Sequence, residues 1–261
     1  MKNTSNIVVE SPIDGISRIR LNEPSTYNAL SSKTLESLIN IFKSLNNKNE
    51  TKVIIIEGSG KGFSGGHDLK EIRSLKKKSK YKKLFNLCSK LMLEIVEGRK
   101  PVIAKVHGAA FAAGCQLVAS CDLAISSDDA IFATPGVNIG LFCSTPMVAV
   151  SRKVSRKKTM KMLLTGDPIN AKYAKEIGLI NDHYPISELE DEVLKLAKKI
   201  ASKSNLTIKI GKKAFYKQLE IPLRKAYQYT SEVMTKNAME PDAEEGISAF
   251  LEKRKPNWKN K

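Results

Sequence analysis

The sequence predicts an α/β fold in which parallel strands alternate with helices. Short apolar runs at residues 53–56, 102–106 and 122–126 indicate buried strands. A segment with the hydrophobic period of a helix precedes the first apolar run. Small residues follow each of the first two apolar runs. Alternation of this kind is typical of a parallel sheet, which binds ligands at the carboxyl ends of its strands. The two small-residue turns are therefore the predicted site.

The other elements follow from the same patterns. Two strands at residues 7–10 and 15–21 precede a loop and then a helix of about 15 residues that Ser31 or Ser32 caps. We expect the lysine-rich stretch 76–80 to be mobile and a helix to run from residue 84 to residue 96. From about residue 187 the pattern becomes helical. The predicted helices there are 189–203, 206–219, 223–237 and 244–252.

Size and composition indicate one large domain or one and a half. A chain of 261 residues that is 41% hydrophobic buries a sizeable core. It contains no apolar run of membrane-spanning length, and residues 1–6 are too polar for a secretory signal, so we expect a cytoplasmic protein. The cysteines form no CxxC pair and are predicted to be reduced packing residues. They are Cys88, Cys115, Cys121 and Cys143.

The net charge of +17 has two interpretations. It steers a polyanionic ligand or binds nucleic acid, or it belongs to a solvated lysine-rich surface. Charge balance alone speaks to solubility more than to a site.

The two turns have the composition of an anion site. Gly58–Glu71 and His107–Asp122 each follow a predicted strand and lead into a predicted helix. Residues without bulky side chains let a ligand approach the backbone, and N–H groups at a helix N-terminus hold negative charge. If the turns face each other, each can donate one N–H to a single oxygen. That arrangement is an oxyanion hole.

A glycine motif in the first turn suggests a different ligand. Residues 60–65 fit GxGxxG directly after a strand. A dinucleotide site also needs the turn to enter its helix at the last glycine and an acid at the end of the next strand. Here a further loop intervenes, and the next strand is followed by His107. We therefore do not predict NAD binding.

Several ordered motifs together resemble one family. They are Leu21-Asn22-Glu23-Pro24 with Asn28-Ala29-Leu30, the blocks Phe63–Glu71 and Gly108–Asp122, and Phe250–Lys255. Over nearly its whole length the chain resembles the crotonase (enoyl-CoA hydratase/isomerase) superfamily. The resemblance implies a core of ββα turns wound into a spiral over residues 1–190 and a C-terminal helical oligomerisation region over residues 191–261. It also implies homotrimers or hexamers, and an acyl-CoA thioester as substrate without a separate cofactor or metal.

The resemblance also assigns the site. The oxyanion N–H groups fall on His67 and Ala113, and Gln116 occupies a catalytic position. The residues expected to bind substrate are Ser25, Thr26, Tyr27, Gly65, Asp68, Leu69, Lys70, Gly114, Gly136, Phe250 and Lys253. Of these, Phe250 and Lys253 match positions that reach the ligand of a neighbouring subunit, and Asp68 is also expected to cap the helix that begins at Leu69.

The sequence departs from the family at the two positions where catalytic glutamates are expected. The two glutamates that handle water and the Cα proton in a hydratase correspond to Gln116 and Gly136, and no acid occurs in residues 137–146. Losing an acid–base group typically lowers a rate by about 10² to 10⁴, so ordinary hydration is doubtful. Glycine at position 136 is expected only to leave space. The imidazole of His67 is expected to be a proton donor, a polar lining or a solvent-facing loop side chain.

Three functions remain open. The acid-free stretch and the Gly-His-Asp sequence look similar to a decarboxylating branch that acts on methylmalonyl-CoA, which makes an enolate-forming lyase or isomerase the first hypothesis. The second is an acyl-CoA-binding protein without catalysis. The third, RNA binding through residues 76–83, is weakened because Tyr81 is the only aromatic residue in that run. Nucleic acid is therefore an unlikely partner.

Overall fold

A computed structural model describes residues 6–260 of the chain, apart from the side chains of residues 11 and 12. The strands are β1 (Ile7–Ile13), β2 (Ile16–Leu21), β3 (Val53–Gly58), β4 (Gly62–Ser64), β5 (Val102–Val106), β6 (Ala109–Phe111), β7 (Leu123–Ser127), β8 (Ile131–Ala133), β9 (Ile169–Asn170) and β10 (Asp182–Tyr184). The helices are α1 (Ser32–Asn47), α2 (Leu69–Ser74), α3 (Lys78–Val96), α4 (Ala113–Ser120), α5 (Pro146–Val150), α6 (Arg156–Thr165), α7 (Ala171–Glu176), α8 (Ile186–Ala201), α9 (Asn205–Gln218), α10 (Leu223–Ala238) and α11 (Pro241–Leu251).

The strands form two sheets. The larger has six strands in the order β1-β2-β3-β5-β7-β10, and the smaller has four in the order β4-β6-β8-β9. All neighbours are parallel except β1 with β2 and β8 with β9. The predicted α/β class is therefore confirmed.

Three successive passes of the chain each contribute one strand to the larger sheet, one to the smaller sheet and then a helical turn. β3 leads to β4 and α2, β5 leads to β6 and α4, and β7 leads to β8 and a short 3₁₀ turn. This repeat is the ββα spiral that the resemblance implied. It brings the carboxyl ends of β4, β6 and β8 side by side, because these three strands are parallel neighbours. The predicted turns lie at these ends.

The larger sheet is buried on both faces. One face packs against α1 and α3, and the other packs against α8. β3 illustrates the reason, because its β-branched residues alternate between the two cores: Ile54 and Ile56 join the first, and Val53 and Ile55 join the second. A strand covered on both faces needs a continuous apolar run rather than an alternating one.

The C-terminal helices are present close to the predicted positions. α8 begins at Ile186 rather than Leu189, and α11 begins at Pro241 rather than Glu244. The division predicted between residues 190 and 191 falls inside α8, whose Leu189 and Val193 both pack on the larger sheet. The assignment of 1–190 and 191–261 as separate units stays a prediction.

We expected the lysine-rich stretch to be mobile, but most of it is helical. Helix α3 begins at Lys78, so only Lys76 and Lys77 of that stretch lie outside it. The helix is long, and its Leu84 and Leu91 are completely or almost completely buried in the core. Packing of this apolar face compensates for cationic residues at the N-terminal end of the helix dipole.

The remaining predictions from the composition concern the cysteines and possible membrane-spanning segments. All four cysteines are free and buried, and burial raises the pKa of Cys88 and Cys115 to about 12, which makes those thiols unreactive. Among residues 6–260, no helix combines the length and apolar character that crossing a bilayer requires. Within the same part of the chain, no three His, Cys, Asp or Glu side chains cluster to hold a metal ion.

A buried ion pair joins the C-terminal helices to the sheet. Lys212 of α9 donates to Asp122 Oδ2 at 2.7 Å and to the carbonyl oxygens of Ile95 and Lys100. Asp122 also accepts from the Val102 N–H at 2.7 Å and the Tyr216 hydroxyl at 2.9 Å. Since both charges are well satisfied, the pair fixes α9 against the start of β5.

Removing the ammonium should destabilise the protein. We expect Lys212→Met to lower the free energy of unfolding by about 3 kcal/mol, because the largely enclosed Asp122 carboxylate and the carbonyl oxygens of Ile95 and Lys100 then lose their shared donor. Urea unfolding followed by circular dichroism measures the change. Lys213→Met is the matched control, since Lys213 is exposed on the same helix. Equal effects in the two variants would mean that the ion pair does not anchor the helix.

Candidate functional site

The two predicted turns touch each other. A Cβ atom on Gly66 would lie 2.9 Å from the Phe111 carbonyl oxygen and 3.1 Å from the Ala113 nitrogen. A Cβ on Gly114 would lie 2.3 Å from the Ser64 carbonyl oxygen. The N-terminus of α4 therefore packs directly on the backbone that follows β4. Gly66 also has a φ of +92°, which a side chain would strain further.

On each side of this contact, one backbone N–H group has no acceptor among the described residues. Within residues 6–260, the N–H groups of His67 and Ala113 have no protein acceptor. Ala113 is the first residue of α4, so its N–H has no partner within the helix. The preceding Ala112 has a φ of 49° and a ψ of −114°, a strained conformation for alanine. Its own N–H bonds to the Ala133 carbonyl oxygen at 2.9 Å.

The imidazole of His67 is held inside the protein and does not face solvent. Its Nδ1 lies 3.1 Å from the Leu30 carbonyl oxygen, and its ring contacts Phe85 edge-on with 5.6 Å between centroids. Since a carbonyl only accepts, Nδ1 carries the proton. Burial lowers the pKa of His67, while the Leu30 carbonyl and Glu71 oppose this shift. The ring is therefore neutral at pH 7, and its buried Nε2 is an acceptor without a partner among the described residues.

The solvent-facing interpretation of His67 is corrected by this geometry. The solvent-facing interpretation is wrong because the ring is packed against Phe85 and bonded to Leu30. A neutral ring with its proton on Nδ1 presents a lone pair at Nε2. His67 can thus take a proton or accept a hydrogen bond at that nitrogen.

The predicted CoA-binding residues of the loop before α1 and of the first turn lie side by side and form a rim. The Gly65 N–H donates to the Tyr27 carbonyl oxygen at 2.8 Å, which joins the loop of Ser25, Thr26 and Tyr27 to the first turn. Tyr27 and Leu69 are largely exposed, as is Lys70. The buried amide of Asn28 fixes the loop by donating to three carbonyl oxygens. These are those of Ser59, Gly62 and Phe63.

Asp68 has the predicted capping role. Its Oδ1 accepts from the N–H groups of Lys70 at 2.8 Å and Glu71 at 3.2 Å, at the start of α2. The glycine motif at residues 60–65 contains the short strand β4 and does not enter a helix, since α2 begins only at Leu69. The geometry thus lacks what a dinucleotide site requires.

Gln116 lies deep behind the turn. It is 3% exposed, and its Oε1 accepts from the thiol of Cys88 at 3.7 Å. Since an amide cannot take up a proton, Gln116 contributes polarity and orientation only.

The expectation for Gly136 is wrong in one respect. A Cβ at this position would lie 2.3 Å from the Leu141 carbonyl oxygen and 2.9 Å from Cys143 Sγ. The glycine does not leave an empty space, because the returning loop fills it. Burial raises the pKa of the Cys143 thiol, and the Gly136 N–H, which donates to that sulfur, opposes the rise.

Thr134 was not among the predicted site residues. This residue follows β8 and is completely buried, and its hydroxyl has no hydrogen-bond partner among the described residues. Ala133, directly before it, accepts the N–H of Ala112, so Thr134 leaves the sheet next to the free N–H of Ala113. The Thr-Pro pair after a short apolar run is a signal too weak to identify it.

Phe250 and Lys253 lie apart from the other site residues. They belong to the end of α11 and the turn after it, and α11 packs on α9 and α10. Phe250 is 82% exposed and borders a cavity of about 1070 Å³ among these helices. A single chain does not bring them to His67 and Ala113.

Comparison with known proteins agrees with this architecture. The enoyl-CoA hydratase/isomerase family model matches residues 13–261. Human enoyl-CoA hydratase domain-containing protein 3, mitochondrial, is 49% identical over 246 residues, which cover 94% of this chain and 81% of that protein. The 2,3-dehydroadipyl-CoA hydratase of Escherichia coli K12 is 31% identical, with 93% and 94% covered.

Solved structures are similar over almost the full length. An enoyl-CoA hydratase of Mycobacterium smegmatis superposes with a TM-score of 0.95 at 44% identity and covers 97% of this chain and 99% of its own. The human domain-containing protein 3 superposes with a TM-score of 0.94 at 47% identity, with 97% and 100% covered. By sequence and by fold, the chain belongs to the enoyl-CoA hydratase/isomerase family, the crotonases.

Proposed function

We propose that the protein is an acyl-CoA enzyme that stabilises a thioester enolate between the N–H groups of His67 and Ala113. The observation that carries this proposal is that both N–H groups are unpaired on turns whose backbones touch at Gly66. Donors fixed before the reaction stabilise developing negative charge without reorganisation. The acyl-CoA substrate itself agrees with membership of the family.

CoA enters as part of the substrate, and the exposed rim supports its binding. Ser25, Thr26 and Tyr27 face the adenine and ribose in this proposal, with Leu69 and Lys70 across from them. The rim is joined to the oxyanion turn through the bond between Gly65 and Tyr27. No separate cofactor is required for enolate chemistry.

The proton chemistry cannot follow the two-glutamate route. Gln116 is not an acid, and Gly136 is enclosed by Leu141 and Cys143. The unpaired Nε2 of His67 supports a single general base that removes a proton from water or from Cα. All three reactions deliver a proton to the enolate. This arrangement favours hydration or isomerisation, because the proton that Nε2 takes from water or from a C–H group can be returned to the enolate, whereas decarboxylation forms the enolate without first supplying a proton to His67. The Thr134 hydroxyl is available to orient water or a polar acyl group.

The C-terminal helices support self-association. Large apolar side chains on α10 and α11 are mostly exposed in the single chain. They include Met234 (71%), Ile247 (60%), Phe250 (82%) and Leu251 (74%). A surface this apolar is typical of an interface. We propose a homotrimer, which can pair into a hexamer, with Phe250 and Lys253 reaching a neighbour's ligand.

Two further assignments remain predictions. The cytoplasmic location was predicted from the polar N-terminus and the free cysteines, whereas the name of the human relative places that protein in mitochondria. Nucleic acid stays an unlikely partner because Tyr81 is half-buried and leaves the lysine-rich start of α3 without an exposed aromatic side chain.

Removing one oxyanion donor should abolish most turnover. We expect Ala113→Pro, which lacks the N–H, to lower kcat by about 10² to 10³ while CoA binding persists. Mass spectrometry follows crotonyl-CoA, 3-hexenoyl-CoA and methylmalonyl-CoA, and calorimetry measures CoA binding. Ala113→Gly retains the N–H and is the matched control.

The products identify the reaction. Gain of water or a shifted double bond that depends on Ala113 supports a base at His67, and loss of CO₂ from methylmalonyl-CoA supports the decarboxylating alternative. Tight CoA binding with no turnover of any thioester would contradict the enzyme and leave an acyl-CoA-binding protein.

His67 should make folding stability depend on pH. Burial places its folded pKa below the ordinary value of 6.5, so the unfolded chain takes up the proton first as pH falls. The stability contributed by the neutral ring is fully present above 6.5 and declines toward the folded pKa. Urea unfolding at several pH values should show a steeper loss below 6.5 in the wild type than in His67→Gln. Parallel curves would mean that the ring titrates normally.

A charge on α11 should weaken self-association. We expect Phe250→Lys to shift the protein from trimer toward monomer, because the ammonium must be desolvated at the interface. Size-exclusion chromatography with light scattering measures the mass. Asn40→Lys adds the same charge to an exposed site on α1 and should leave the mass unchanged. A monomeric wild type would remove the basis for this surface.

A further inference from the structure

The side-chain amide of Gln116 is only half satisfied by the protein. Its Oε1 accepts from the Cys88 thiol at 3.7 Å, and burial raises the pKa of Cys88 to about 12, so the thiol keeps the proton that it donates. Within residues 6–260, Gln116 Nε2 has no acceptor, yet it is not among the buried unpartnered atoms and so opens to accessible space. Gln116 therefore presents a free N–H donor from a side chain that is otherwise enclosed.

Helix α3 places this amide beside the imidazole of His67. Phe85 of α3 contacts the His67 ring edge-on, and Cys88 contacts Gln116. Residues three positions apart share one face of a helix and are separated by about 4.5 Å along its axis. The His67 ring and the Gln116 amide therefore occupy neighbouring positions along the same face of α3. The Nε2 atom of His67 is also unpaired among the described residues.

The same amide lies close to one of the oxyanion donors. Gln116 is one turn into α4, whose first residue, Ala113, has the free N–H. Side chains of a helix lean toward its N-terminus, so the amide extends from Gln116 back toward Ala113. In the proposed function that N–H holds the thioester oxygen. From this oxygen, the amide is at the reach of a substituent near the third carbon of the acyl chain.

The two unpaired nitrogens are complementary to a hydroxyl group. His67 Nδ1 carries its proton toward the Leu30 carbonyl oxygen, so Nε2 only accepts, whereas Gln116 Nε2 only donates. A hydroxyl donates and accepts, and one hydroxyl can therefore pair with both nitrogens. A carbonyl or carboxylate oxygen pairs with Gln116 alone and turns a lone pair toward His67 Nε2. A methylene group pairs with neither.

We propose that Gln116 and His67 together recognise one hydroxyl near the third carbon of the acyl group, which makes Gln116 a specificity-determining residue for hydroxyacyl-CoA thioesters. This inference rests on the proposed function, because the N–H groups of His67 and Ala113 set the position of the thioester. A hydrocarbon chain leaves an enclosed donor and an enclosed acceptor unpaired, and a hydroxyl satisfies both. In the direction of hydration, the same pair holds the attacking water.

Calorimetry with the intact protein compares butyryl-CoA with each enantiomer of 3-hydroxybutyryl-CoA, which differ from it only in the hydroxyl group. We expect one enantiomer to bind the wild type about tenfold or more tightly than butyryl-CoA, as one or two enclosed hydrogen bonds provide. The other enantiomer points its hydroxyl away from the pair and should show less preference. Mass spectrometry of the recovered thioester confirms that the ligand stayed intact during the titration.

Gln116→Met keeps the length of the side chain and removes the donor. This variant should bind butyryl-CoA within about twofold of the wild type and lose most of the preference for the hydroxyl. Gln218→Met makes the same change at the end of α9, where the side chain forms no hydrogen bond among the described residues, and should retain the preference. Methoxyacetyl-CoA, whose ether oxygen replaces the third carbon, accepts without donating. It tests the Gln116 donor in the wild type and should bind more tightly than butyryl-CoA.

Three results would overturn the proposal. They are equal affinity of the wild type for butyryl-CoA and both hydroxy enantiomers, methoxyacetyl-CoA that binds no more tightly than butyryl-CoA, and a hydroxyl preference that survives in Gln116→Met. Equal losses for all ligands in that variant would mean that Gln116 only shapes the site, which also overturns it.

The test is separate from that of the proposed function because it measures binding and not turnover. Turnover that depends on the Ala113 N–H, without any hydroxyl preference, would remove only the role of Gln116. A hydroxyl preference without turnover of any thioester would remove the enzyme and leave a protein that binds hydroxyacyl-CoA.

Discussion

The contact between the two turns is the constraint on which the site depends. The start of α4 approaches the backbone after β4 so closely that a Cβ on Gly114 would lie 2.3 Å from the Ser64 carbonyl oxygen. Only glycine at positions 66 and 114 allows this packing, because any larger residue would place a Cβ atom too close to the opposite backbone. The approach brings the free N–H groups of His67 and Ala113 to the same end of the smaller sheet. The strained Ala112 is retained because β8 and α4 hold both of its flanks.

The polar side chains His67, Gln116 and Thr134 near this contact are neutral, and this has a chemical consequence. His67 is kept uncharged by burial, Gln116 is an amide, and Thr134 is a hydroxyl. Because positions 116 and 136 carry no carboxylate, the site has one basic atom, His67 Nε2, where a two-glutamate site has two. Proton transfer at both carbons of a double bond would then depend on water or on the substrate itself. Which reaction is feasible therefore depends on whether His67 Nε2 is unprotonated and can accept a proton.

The sequence predicted the elements whose signals are local. β3 and β5 were visible because residues buried on both faces are continuously apolar, and Asp68 was visible because a cap is defined by its immediate neighbours. The three-residue strands β4, β6 and β8 are too short to show a period. Gly136 and Thr134 could not be interpreted, because the contacts with Leu141 and Cys143 and the unpaired hydroxyl arise only from tertiary packing. Lys78 entered a helix for the same reason, since the apolar face of α3 outweighs its charged start.

The distribution of unpaired charge argues that the surplus of cations is not uniform. Lys100 and Lys212 are joined by a hydrogen bond through the Lys100 carbonyl, so both amines belong to one small region of the fold. One ammonium has a carboxylate and two carbonyls, whereas the other has no acceptor among the described residues. A net charge of +17 explains many exposed lysines, because exposed ammonium groups are hydrated by water. Lys100 is of this kind, because its apolar stem is buried while its Nζ is not among the buried unpartnered atoms and so reaches water. Lys212 is the exception, since its ammonium is enclosed and takes its acceptors from the protein, which is why it fixes α9 in place while Lys100 does not.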